Sequence, residues 1–162
     1  MSAVDAMVEY HALIDRAAAA PVRIAAALAG WDDARLRAPT APGEWSAAEI
    51  LAHVRASDDI LAGRVPMLLA RDEPPLPAFD ERRWAIAVRY AALDVRASLA
   101  VYAGRRAELV GLLRQLPAED WQRAGISEVR GRITLADEVR LLVEHEDEHS
   151  AHFEALAGES GR

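Results

Sequence analysis

The chain has 162 residues, 52% of them hydrophobic and 28% charged, with a net charge of −7 at pH 7. That size and balance predict a single domain over residues 1–162 with a sizeable apolar core, and the negative charge argues against a nucleic-acid surface, which is normally basic. There are no cysteines and all 19 basic residues are arginine, which excludes disulfides, thiolate metal ligands, cysteine nucleophiles and lysine Schiff bases within the chain.

No run of 18 apolar residues is present, and Asp5 and Glu9 make the first segment unlike a signal peptide. The expected location is therefore the cytoplasm, away from membranes. Residues 3 to 29 carry Met7, Leu13, Ile14, Ile24 and Leu28 around the Ala17–Ala20 run, the composition of a helix. Pro21 is expected to kink or briefly break it, and Gly30 to stop it. A connection with Pro39, Pro42 and Gly43 follows. Ser46-Ala-Ala-Glu49 then has capping-box spacing and opens a second helix, expected to run to about Arg71 with a kink near Gly63 and Pro66. Ile50, His53, Ile60, Leu61, Met67 and Leu68 fall on one stripe of that helix, joined by Glu49, Ser57 and Arg64. Arg55, Asp58 and Asp59 point away from that stripe.

Pro74, Pro75 and Pro77 make residues 72 to 81 a rigid connection. A third helix is expected from about Trp84 to Leu116, with Gly104 and Gly111 as weak points, and a second long connection from Pro117 through Gly131. Thr134, with Asp137 three positions on, opens the fourth helix.

That last segment, 134–156, carries three of the five histidines. His145, His149 and His152 are spaced i, i+4, i+7, on one stripe with Leu135, Leu141, Leu142, Phe153 and Leu156. A single buried histidine is ordinarily a hydrogen-bonded core residue. Three in a row bring polar nitrogens that must all be satisfied, and neutral imidazoles converging on a divalent metal would satisfy them together. His145-Glu-Asp-Glu-His149 also matches H-E-x-x-H, but the extended zinc-protease form places a glycine and a histidine where this chain has His152 and Ala155.

The two halves repeat one order: an apolar helix, a tryptophan, a Gly-containing loop, a cap with an acid three residues on, and a helix with inward histidine. Two such helical-hairpin halves, joined by long connections, make an all-α four-helix bundle the natural architecture, with at least one crossover that sets helices two and four side by side. That adjacency would bring His53 to His145 and His149, a three-imidazole set with a position left for substrate. His152 would be a fourth ligand, a supporting group or a base in the pocket. Glu49 and Glu138 would orient imidazole N–H groups or serve as base; the alternative for each is a salt bridge to Arg64 or to an arginine of the third helix. Arg64 would meet an anionic group of a substrate, or else close a salt bridge at the bundle end.

Trp45-Ser46, Glu49 and Leu51-Ala-His53 in one half, with His145-x-x-x-His149 in the other, resemble the DinB-like superfamily over nearly the whole chain. Its members include the N-terminal domain of mycothiol-dependent maleylpyruvate isomerase and bacillithiol S-transferases. The resemblance implies a four-helix bundle and a divalent metal, often zinc or nickel, on His53, His145 and His149. For some members it implies activation of a low-molecular-weight thiol for transfer to an electrophile. Family proteins often carry Gln where this chain has His152. The expected function is a metal-dependent thiol S-transferase using mycothiol or bacillithiol, or a related small-molecule detoxification enzyme. The alternatives are a metal-dependent hydrolase of a small substrate, with Glu49, Glu138 or His152 as base, and a non-catalytic stress-linked metal-binding or dimerisation module. The expected partners are a small-molecule substrate and a second copy in a homodimer, with neither nucleic acid nor membrane.

Overall fold

A computed structural model describes residues 3–159. Its helices are α1 Ala3–Ala27, α2 Asp33–Arg37, α3 Ala47–Ala70, α4 Glu81–Ala87, α5 Val95–Leu113 and α6 Leu135–Glu159. Three short strands, β1 Pro75–Leu76, β2 Ala124–Ser127 and β3 Gly131–Thr134, lie in the connections. Both caps form as the spacing predicts. Ser46 accepts from the Glu49 backbone N–H while the Glu49 carboxylate takes the Ser46 N–H at 2.8 Å. Thr134 and Asp137 exchange the same pair of bonds, so α3 and α6 start with their first donors satisfied.

Pro21 and Pro66 each lie inside a helix that continues through them. Tertiary packing of Ala17, Ala20 and Ile24, all buried, holds α1 across the hydrogen bond that Pro21 removes. The third helix differs more from expectation. Instead of one element from Trp84 to Leu116 there are α4, a 3-10 turn at Tyr90–Ala92 and α5. Arg89 takes a left-handed conformation with φ 56°, and Asp94 caps a fresh start by accepting from the Ala97 N–H at 2.7 Å. The strands are a second departure: two to four residues is too short for alternation to show in the sequence. They form one sheet in the order β1-β2-β3, the first pair parallel and the second an antiparallel hairpin. Gly125 is required there, because a Cβ would stand 2.8 Å from the Pro74 carbonyl oxygen.

The four long helices neighbour one another in the ring order α1, α6, α3, α5. Helices consecutive along the chain, α1 with α3 and α5 with α6, therefore lie across the core from each other rather than packing as side-by-side hairpins. Each pair's connection has to traverse an end of the bundle, which is why those connections are long. One core cluster joins Tyr10, Leu13, Leu68, Leu113 and Leu135; the other joins Ile24, Leu28, Ile50, Val95 and Phe153. The directions are thus up for α1 and α6 and down for α3 and α5, and the crossover is the α3–α5 connection that carries β1 and α4. The parallel α1–α6 pair is registered by ion pairs recurring every seven residues, Glu9–Arg140, Arg16–Asp147 and Arg23–Glu154. No helix among the described residues is long and apolar enough to cross a membrane.

Candidate metal centre

Because α3 lies between α6 and α5, both of its flanks are packed. His53 and Arg64 face α6. Arg55, Asp58 and Asp59 bond Ser98, Arg106 and Arg105 of α5, so the side expected to point away is largely buried against a helix. On α6 the innermost line runs through Val139, Val143, Glu146, Ser150 and Phe153. The histidine stripe is the flank of α6 that meets α3.

There the histidines converge. His53 Nε2 lies 2.9 Å from His145 Nε2, and His149 Nε2 lies 3.1 Å from the same atom. One ligand atom from each of the three falls within 4.8 Å of the others, and all three Nδ1 atoms are buried without a hydrogen-bond partner. A neutral imidazole has one donor and one acceptor nitrogen. Three rings meeting at one point cannot pair all their inward nitrogens with each other, and lone pairs remain aimed at a common centre. A divalent cation satisfies all three at once. Around tetrahedral zinc such nitrogens stand roughly 3.3 Å apart, given zinc–nitrogen distances of about 2.0–2.1 Å, so the set fits an ion after ring movements of a few tenths of an ångström.

Burial lowers the pKa of all three rings below the usual histidine value, and the neighbouring histidines help hold His149 at about 3. They are neutral at pH 7, the form that binds metal. The sign of the pH effect on metal-free protein follows. The unfolded chain takes up protons near an ordinary histidine pKa of about 6.5, so below that pH it binds more protons than the folded chain, and stability falls as pH drops toward 3. His149→Gln is expected to flatten this loss. Thermal melts of both metal-free proteins from about pH 7.5 to about pH 4 measure it, and identical slopes would contradict the assignment.

The other sequence candidates are placed as follows. His152 is exposed and stands outside the converging group. Glu49 is exposed and its carboxylate is held by the Ser46 N–H and hydroxyl. Glu138 is buried and paired with Arg64 at 2.9 Å, and Arg64 also donates to the Pro77 carbonyl. Neither carboxylate reaches an imidazole N–H, because each has a nearer partner.

Two cavities flank the histidines. One, of about 280 Å³, is lined by Ser57, Ile60, Arg64, Phe79, Glu81 and His145 among others. The second, of about 350 Å³, lies on the His53 side. Glu81 was not legible in the sequence, where it falls in a proline-rich connection. Its carboxylate makes no hydrogen bond or ion pair among the described residues, and its charge acts on both His53 and His145.

Sequence reasoning also missed a buried charge cluster one residue from the centre. Arg106, 1% exposed, donates to Glu146 through both terminal nitrogens at 2.6 Å and to Asp58 at 2.6 Å. The Tyr102 hydroxyl donates to Glu146 at 2.6 Å. Burial pushes Glu146 up to about 7 against the pull of Arg106 and Tyr102, since two carboxylates share one guanidinium. The signal was available: Tyr102 and Arg106 sit on the same stripe of α5 as Val95, Ser98, Leu109 and Leu113.

Residues 16–153 match the sequence profile described as the DinB superfamily. A protein of Oceanobacillus iheyensis named "Putative metal-dependent hydrolase" is 30% identical over 120 residues, spanning 74% of this chain and 69% of its own length. YfiT of Bacillus subtilis, which bears the same description, is 25% identical over 142 residues, 87% of this chain and 80% of its own. The solved structure of YfiT, described as a four-helix bundle of unusual topology, superposes with a TM-score of 0.84 at 24% identity, covering 94% of this chain and 87% of that one. The mycothiol-dependent maleylpyruvate isomerase superposes with a TM-score of 0.70 at 16% identity, covering 88% of this chain and 59% of that one. These two likenesses speak to the fold.

Proposed function

We propose, from the premise that this chain belongs to the DinB superfamily, that it is a metal-dependent enzyme acting on a small molecule. His53, His145 and His149 hold one divalent ion, zinc or nickel, and the reaction transfers a low-molecular-weight thiol such as mycothiol or bacillithiol to an electrophile. The observation that carries this reading is the convergence of three neutral imidazoles, His53 and His149 each bringing Nε2 to within about 3 Å of His145 Nε2. An ion held by neutral nitrogens keeps its full charge and, when bound, lowers the pKa of a thiol or water that reaches it. The chain has no cysteine, so the thiol comes from a cosubstrate. Ser57, Phe79, Glu81 and His145 share one cavity, which gives that cosubstrate room beside the centre and Glu81 as a proton acceptor.

Hydrolysis is the second reading, supported by the names its relatives carry. It needs a free base. Glu49 and Glu138 are engaged with Ser46 and Arg64 and His152 is exposed, which leaves Glu81 for that role. A thiol-consumption assay against a panel of electrophiles separates the two. Consumption is expected with metal-loaded protein and not with metal-free protein. Equal rates in both samples, or turnover with water as the only acceptor, would remove the transferase reading.

A further inference from the structure

We propose that the cavity between Trp45, α3 and α4 is a second ligand compartment, which takes a small apolar molecule carrying one anionic group. Its walls set the ligand's body. Ala52 of α3 and Ala85 of α4 pack together, and beside them the cavity is lined by Trp45, Ile86, Ala91 and Ala92. Arg82, Ala85, Ile86 and Arg89 follow one another at helical spacing, so one side of α4 and its left-handed exit faces this space. Ile86, also of the lining, is 71% exposed, an apolar side chain left largely open to solvent.

Its charges set the ligand's polar end. The Arg82 guanidinium lies 4.4 Å from the centre of the Trp45 ring, and the Arg89 guanidinium makes no hydrogen bond or ion pair among the described residues. The one carboxylate of the lining, Glu49, is already bound by Ser46. Two cations thus line a largely apolar space whose one carboxylate is already engaged, which favours a ligand bringing a carboxylate or comparable group.

The compartment also communicates with the histidines. His53 lines it, with its ring centre 5.5 Å from that of Trp45, while His145 lines the other cavity. Two spaces therefore adjoin one histidine cluster, each through a different histidine, an arrangement that suits a two-substrate transfer. Its use in that transfer rests on the proposed function; the binding itself does not.

Isothermal titration with 2-naphthoate, against its uncharged counterpart 2-naphthalenemethanol, tests the compartment on metal-free and zinc-loaded protein. One naphthoate is expected to bind the metal-free protein. Ala92→Trp, at an exposed lining position, should weaken it about tenfold or more by filling the space. Arg89→Gln should weaken naphthoate several-fold and leave the alcohol unchanged, and Val129→Trp, in the other cavity, should leave both unchanged. Binding that requires zinc, or that survives Ala92→Trp at full affinity, would overturn the proposal. Naphthoate binding together with a failed thiol assay would instead count against the transferase reading alone.

Discussion

His149→Ala is expected to take the purified protein from about one divalent ion per chain to almost none, the result expected for a three-imidazole site losing one ligand. Two reasons make the effect large. Among the described residues no further His, Asp or Glu joins His53, His145 and His149 within the 4.8 Å that contains the group. Two nearby carboxylates are held elsewhere, Glu49 by Ser46 and Glu138 by Arg64, and Glu81 stands outside the converging group. Catalysis should fall to the rate of metal-free protein. The bundle should survive, because the core clusters are built from residues such as Leu13, Ile50, Leu113 and Phe153 rather than from the histidines. His53→Ala is expected to behave alike from the α3 side, while His152→Gln keeps its metal. Metal analysis with far-ultraviolet circular dichroism measures all three, and full occupancy in the His149→Ala protein would contradict the assignment.

The second large effect concerns stability. Arg106→Met is expected to cost about 3–5 kcal/mol, the usual consequence of removing one partner from a buried ion pair. It would leave the carboxylates of Asp58 and Glu146, both buried, without their cation. Glu146→Gln should cost less, about 1–2 kcal/mol, because burial already holds Glu146 at about 7 and the amide resembles its protonated form. By contrast, Arg16→Ala cuts an exposed pair of the α1–α6 ladder and is expected to cost less than about 1 kcal/mol. Urea unfolding with a common slope compares the three. An Arg106→Met midpoint equal to that of Arg16→Ala would show that the cluster does not support the fold.

The sequence was informative where a local rule acts alone. Ser46 with Glu49 and Thr134 with Asp137 fix two helix starts through bonds made within four residues. The stripe of His145 and His149 and the inward position of His53 are likewise properties of single helices, and α3 beside α6 was enough to join them. What was not legible depends on packing. The break after Ala87 needs Arg89 in a left-handed turn, and its one local sign is Asp94 three residues before Ala97. The diagonal placement of consecutive helices has no signature in either helix. A single inward stripe on α3 places Asp58 toward solvent, whereas α3 is packed on two sides, by α6 at His53 and by α5 at Asp58. His152 looked inward because it shares a stripe with His145, but that stripe is the edge of the buried face.

X-ray absorption at the zinc edge, on protein loaded with one equivalent of zinc, tests the central claim most directly. Three imidazole nitrogens completed by a light atom from water are expected, with one imidazole lost in His149→Ala. A shell of oxygens without imidazole, or a closed set of four imidazoles that draws in His152, would contradict it.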